Sequence, residues 1–229
     1  MSNSDTWHKV KEARVRERIL PLLVCSGLMT LAGCATTETV LLDLKAPGPS
    51  ADVKAGKGEP LRVAVLPLED MRPDKSRLGI RTHYWTASVT YFRVSGGQPV
   101  SGGQPIDKVT QFVADYLTLK GWQAEVGQRG GAGSGKADVI LSGKLLIGDG
   151  DAASWLFRTN LVVKAKFAVE ALNVADGSIV RMTLNGDGSD GFFWFGPDEM
   201  EDLIKDVLVQ MLDQFVATTK VDGKRLRLK

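Results

Sequence analysis

Residues 161–171 constrain the fold more tightly than any other stretch of this chain. Leu161, Val163, Ala165, Phe167, Val169 and Ala171 alternate with Val162, Lys164, Lys166, Ala168 and Glu170. Successive side chains of a strand point to opposite faces, so the segment is a strand with one apolar and one mostly polar face. That pattern belongs to an antiparallel sheet wetted on one side, whose dry side another layer must cover. Ala175-Asp176-Gly177-Ser178 follows, and its Asp-Gly pair signals a hairpin turn. Ile179–Asn185 reads as the returning strand.

Two segments have the spacing to supply the cover. Asp107–Lys120 places Val109, Phe112, Val113, Tyr116 and Leu117 on one helical face, and Gly121 is positioned to stop it. A second helix opens at Pro197 with Asp198 and Glu199 in its first turn. Its apolar face is Met200, Leu203, Ile204, Val207, Leu208, Met211, Leu212 and Phe215. Thr39–Leu44, Leu61–Leu68, Val89–Val94, Trp122–Val126 and Ala137–Ile147 read as further strands. The expected fold class is α/β (α+β), a mixed, largely antiparallel sheet with two amphipathic helices packed on it. Ala46–Pro60 reads as a linker and Gln128–Lys136 as a Gly-rich connector. Val94–Pro99 is repeated without change as Val100–Pro105, which suggests a duplicated flexible loop. Lys220–Lys229 reads as a frayed, solvated basic tail.

The N-terminus carries an address. Residues 9–18 are rich in Lys and Arg, and an apolar run of 13 residues, Ile19–Leu31, follows. A spanning helix needs about 20 such residues, whereas a short run behind basic residues is the pattern of a secretory signal. Pro21 and Gly27 also argue against a buried helix there. Leu31-Ala32-Gly33-Cys34 resembles the lipobox of bacterial lipoproteins. The resemblance implies cleavage between Gly33 and Cys34, a diacylglyceryl group on the Cys34 thiol and an acyl chain such as palmitate on the new α-amine. Ala35, where Asp would retain the chain at the inner membrane, implies the outer membrane by similarity to enterobacterial sorting. The chain then divides into a signal peptide (1–33), the lipidated cysteine with a first strand and linker (34–60), a single periplasmic domain (61–219) and the tail (220–229). With Cys25 removed and Cys34 lipidated, no thiol is left for a disulfide or a Cys-ligated metal.

The order of lipobox, early strand, RVAVLPLEDMRPDKSRLGI, a helix ending in LKGW, ADVILSGKLLIG, a long hairpin and a C-terminal amphipathic helix resembles the YajG-like lipoproteins of Gram-negative bacteria. The stretch running into Asp70-x-Arg72-Pro73 is the nearest thing to a motif. More loosely, the order is similar to the α/β domain of lipoproteins of the curli-secretion and penicillin-binding-protein-activator kind. The resemblance implies fold and location rather than a reaction.

Several function classes are disfavoured. Of 29 basic and 27 acidic residues, residues 1–33 hold five and three, so the chain from Cys34 onward is formally neutral. A general nucleic-acid binder needs a basic excess to displace phosphate counterions. Gly130–Lys136 satisfies G-x-x-x-x-G-K, but Ala137 stands where a hydroxyl should ligate Mg²⁺ and a strand pattern follows where a helix should. No nucleotide is expected. Asp149 and Asp151 beside Gly148 and Gly150 evoke a calcium loop, but Ala153 breaks the ligand series and a polar turn is expected instead. His83 is the one histidine after the signal, and no G-x-S-x-G occurs, so neither a metal site nor a nucleophile is expected. The only cofactor-like groups implied are the lipids on Cys34.

Aromatic side chains are the remaining candidates. Tyr84 and Trp85 lie in a loop region, and Phe192, Phe193 and Trp194 precede the last helix. Aromatics in surroundings poor in lysine have the composition of a binding patch. The expected function is a non-catalytic outer-membrane lipoprotein that binds or scaffolds an envelope protein and touches the bilayer through its acyl anchor. An oligomerising subunit of a secretion or assembly complex is the alternative, and an enzyme acting on glycan the least favoured reading.

Overall fold

The structure, a computed structural model, describes residues 36–48, 60–94, 105–128 and 136–229. Gly33, Cys34, the body of the tandem hexapeptide and most of the Gly-rich connector lie outside the described residues. The sheet is organised on β7 (Val139–Ser154). One edge of β7 pairs antiparallel with β8 (Thr159–Asn173) along its whole length, and β8 pairs antiparallel with β9 (Ile179–Phe192). The other edge of β7 is shared. It takes β2 (Arg62–Val65) in parallel near Val139, β3 (Glu69–Asp70) beside Lys144 and Leu145, and β4 (Gly79–His83) beside Gly150–Ser154. β5 (Ser88–Val94) pairs with β4, and β1 (Thr37–Leu42) lies parallel to β5. β6 (Gln123–Val126) lies parallel to β2. Among the described residues the sheet thus has nine strands.

Two helices cover one face, as the alternation of β8 requires. α1 (Pro105–Leu119) buries Val109, Phe112, Val113, Tyr116 and Leu117. α2 (Pro197–Thr218) buries Met200, Ile204, Val207, Leu208, Met211, Leu212 and Phe215, with Leu203 partly buried. Glu199 accepts the Gly196 N–H at 2.7 Å and so holds the first turn of α2. The α/β class with two helices on a mostly antiparallel sheet is the fold found.

Three segments differ from the sequence reading. β7 runs on through Gly148–Asp151, where a polar turn was expected. Exposed Asp149 and Asp151 alternate there with buried Gly150 and Ala152, so the carboxylates are simply the wet side of a strand. β9 likewise continues past Asn185 through a glycine-rich stretch. A Cβ on Gly186 would meet the Met211 Cγ at 2.7 Å and the Val207 carbonyl oxygen at 3.0 Å, so α2 occupies the space a side chain would need. The frayed tail is instead a hairpin of β10 (Thr219–Asp222) and β11 (Arg225–Leu228), turned at Gly223 with φ of 62°. It is held by Leu226, which is fully buried. Asn173 also accepts the Leu226 N–H at 2.7 Å and donates to its carbonyl at 2.9 Å.

Candidate functional site

The strand registers line up one end of the sheet. Thr37, Val89, Thr82, Ala153, Asn160 and Gly191 are successive partners across β1, β5, β4, β7, β8 and β9. Just beyond this row the chain turns in three loops, 84–87, 155–158 and 193–196. Each carries aromatic residues. Trp194 is 83% exposed, Trp85 74% and Phe157 70%, and Tyr84, Trp155, Leu156 and Phe193 are also exposed. All six exposed aromatics among the described residues stand on these three loops.

The rings organise one another across the loops. Tyr84 stacks on Trp155 with centroids 4.7 Å apart and an interplanar angle of 13°. Phe157 stacks on Phe193 at 6.5 Å, and Phe193 meets Trp194 edge-on at 5.3 Å. Offset and edge-to-face arrangements of this kind are the favoured ones for ring pairs. The result is one apolar surface built from three separate segments.

A polar clamp under the rings fixes the loops. Arg81 donates from Nε to Ser154 Oγ at 2.7 Å and from Nη1 to the Phe195 carbonyl at 3.3 Å, and its guanidinium lies over the Phe195 ring. Ser154 Oγ is in turn 2.8 Å from Thr159 Oγ1, and the Tyr84 N–H donates to the Ser154 carbonyl at 3.1 Å. One arginine therefore joins the ends of β4, β7, β8 and the approach to α2. His83 is half-buried with Nε2 3.4 Å from Thr90 Oγ1. Burial first, and the Arg81 charge second, lower its pKa from the ordinary imidazole value and so favour the neutral ring.

The four consecutive aromatics of the 192–195 run divide between surface and interior. Phe193 and Trp194 join the exposed surface. Phe192 and Phe195 pack against the core, 5.9 Å apart, and Phe195 also meets Phe92 edge-on. Tyr84 and Trp85 are brought together with Phe193 and Trp194 at the same end of the sheet, whereas Phe192 faces inward. Trp155, Leu156 and Phe157 are not among the residues the sequence singles out. Strands read as 137–147 and from 161 leave them in a long connection, and only the extension of β7 to Ser154 and of β8 back to Thr159 confines them to a tight turn.

The Asp70-x-Arg72-Pro73 stretch is a structural corner. Arg72 is 4% exposed and donates three hydrogen bonds to Asp70, from its guanidinium at 2.9 and 2.7 Å and from its backbone N–H at 3.0 Å. Its Nη1 donates to the carbonyls of Arg77 at 2.7 Å and Gly148 at 2.9 Å. Burial raises the Asp70 pKa, but the bonds from Arg72 outweigh it and the net shift is downward. Both groups are engaged with the fold, and the corner is pinned to β7. An apolar void of about 20 Å³ lies in the core, and a second of about 30 Å³ reaches out to Asp149 and Lys164; both are of the size of a water site rather than of a ligand pocket. Among the described residues no group of three or more His, Cys, Asp or Glu converges as a metal site, and no helix is long and apolar enough to cross a membrane.

No family model and no curated protein matches the chain. Solved structures do. A Xanthomonas campestris protein of the DUF330 family aligns over 79% of this chain and 92% of its own, at 13% identity and a TM-score of 0.44. A PelC dodecamer from Paraburkholderia phytofirmans supplies a second similar chain, over 67% of this chain and 88% of that one, at 18% identity and a TM-score of 0.33. Lipoprotein GNA1162 from Neisseria meningitidis aligns over 69% of this chain and 99% of its own, at 10% identity and a TM-score of 0.27.

Proposed function

We propose that this chain is a lipid-anchored protein of the bacterial cell envelope, held at the periplasmic face of the outer membrane through Cys34, and that it works by binding rather than by catalysis. The observation that carries the reading is the exposed aromatic surface of the three loops. A monomer rarely leaves a contiguous apolar patch of large side chains facing water without using it. Leu31-Ala32-Gly33-Cys34 supports the anchor, and the acyl chains would hold it at about 0.8 kcal/mol per buried CH₂. The engagement of Asp70, Arg72 and Arg81 with the fold itself supports a non-catalytic role. A scaffolded envelope protein is part of this reading.

The test has two arms. Metabolic labelling with palmitate, followed by membrane fractionation, should place label and protein together in the outer membrane, and Cys34→Ala should abolish both. A photoreactive phenylalanine analogue at position 85 or 194 should give covalent adducts in living cells, and one at position 170, on the polar face of β8, should not. Adducts formed equally from all three positions would overturn the assignment of the surface.

A further inference from the structure

We propose that the aromatic end of the domain sits in the lipid–water interface of the membrane that holds the anchor, so that the three loops form a foot on the bilayer. The proposal rests on the reading of Cys34 as the lipidated residue, and it takes the bilayer, rather than an envelope protein, as what the aromatic surface binds. Its second support is covalent. Thr37 is the first residue of β1 and belongs to the end row of the sheet. β1 runs from Thr37 to Leu42 away from that row, in parallel with β5, which leaves the 84–87 turn in the same direction. The chain before Thr37 therefore joins the sheet at the end where the aromatic loops turn. Only three peptide links separate Cys34 from Thr37, and at about 3.8 Å per link the tether is at most about 11 Å long.

An anchor on so short a tether brings the headgroup region to this end of the sheet. Tryptophan and tyrosine favour that region, because the ring finds apolar contact while its N–H or O–H stays wet. Trp85, Trp155 and Trp194 each stand on a different loop. From β4 to β9 these loops span three strand spacings, about 14 Å. Three points of contact beside a covalent tether fix the tilt of the domain, which a tether alone does not. The large exposed apolar residues at the opposite end, Val174, Ile179, Val221 and Leu228, are all aliphatic.

The experiment uses the full-length, processed protein purified from membranes. It is reconstituted into vesicles of phosphatidylethanolamine and phosphatidylglycerol, with or without acyl chains brominated near the carbonyl. Of the four tryptophans from Cys34 onward, Trp122 packs against the core and the other three are exposed on the loops. Emission should fall about two-fold in the brominated vesicles, as interfacial residence of the loop tryptophans requires. Trp85→Phe, Trp155→Phe and Trp194→Phe combined should leave only unquenched Trp122 emission, with the far-ultraviolet circular dichroism unchanged. Protein that floats with vesicles and carries lipid on Cys34 by mass spectrometry, yet shows no quenching, would overturn the foot and leave the anchor standing. Protein without lipid on Cys34, found free of vesicles, would overturn both. Absent quenching together with a dimer in light scattering would mean that a second copy covers the rings instead.

Discussion

The two ends of the β7–β8–β9 ladder are finished in opposite ways. At the Asn173 end the chain closes over its own sheet. The C-terminal hairpin lays Leu226 into the core, and Asn173, fully buried, satisfies both backbone groups of Leu226 while its amide also donates to Ser178 Oγ at 2.9 Å. Arg225 reaches Asp176 in the β8–β9 turn at 3.2 Å. At the other end six aromatic side chains on the loops stay exposed among the described residues. Burial of a large apolar side chain contributes about 1.5–3 kcal/mol, so leaving several in water forgoes stabilisation that the fold could use. The capped end is built for stability. On the reading proposed above, the aromatic end is left open for contact with something outside the chain.

The largest test of this contrast is Leu226→Ala. It empties a fully buried site and should destabilise the fold by about 2–5 kcal/mol, read as a lowered urea midpoint. A loss below about 1 kcal/mol would mean that the hairpin is an appendage rather than a cap. Asn173→Ala comes next. It strands the N–H and carbonyl of Leu226 without partners and should cost about 1–3 kcal/mol in the same measurement.

The sequence makes one of these ends far more legible than the other. The strict alternation of residues 161–171 identifies β8 and predicts a covering helical layer, because a local period of two is set by the pleat alone. The seam that α2 rides on is not local. Gly186 lacks a side chain because Val207 and Met211 stand there, and glycines in a row read as loop until the helix is in place. Gly150 is the same case, since a Cβ on it would lie 2.6 Å from the Met200 sulfur. The C-terminal hairpin depends on Asn173, 53 residues before Leu226, so its basic residues look like a solvated tail. At the aromatic end Tyr84, Trp85, Phe193 and Trp194 stand out by residue type. Trp155, Leu156 and Phe157 are hidden by their chemistry, because an apolar triplet has the composition of a core strand. Only the four-residue connection between β7 and β8 forces it outward. The inward turn of Phe192 is likewise settled by Phe195 and the start of α2 rather than by composition.

The two ends should also respond to acid in different windows. His83 sits under the aromatic loops with its pKa lowered, chiefly by burial. The unfolded chain takes up the proton first, so this contribution is complete above pH 6.5 and is lost as pH falls below it. Asp176 at the capped end is lowered to about 2, first by the Ser178 side chain, then by the Ser178 backbone, with Arg225 adding to it. Its contribution is present above 3.8 and disappears as pH falls toward 2. Hydrogen exchange followed by mass spectrometry should therefore show protection in 84–88 weakening in mild acid while 174–178 stays protected. Simultaneous loosening of both segments would break the contrast.

The smallest expected effect in solution is the most telling. Trp194→Ala removes the most exposed ring at the aromatic end, and its change in stability should stay within about 0.5 kcal/mol in urea. A ring that supported the fold would give a loss several times larger, comparable with the change at Leu226. The same substitution should nevertheless reduce retention of the protein on a weakly hydrophobic column, because Trp194 adds its area to a surface already presented by Phe193 and Phe157. Near-zero cost in stability with a measurable loss of surface hydrophobicity is the combination that separates a side chain kept for contact from one kept for packing. A large loss of stability would instead make Trp194 a cap on the start of α2, and the two ends of the ladder would be alike.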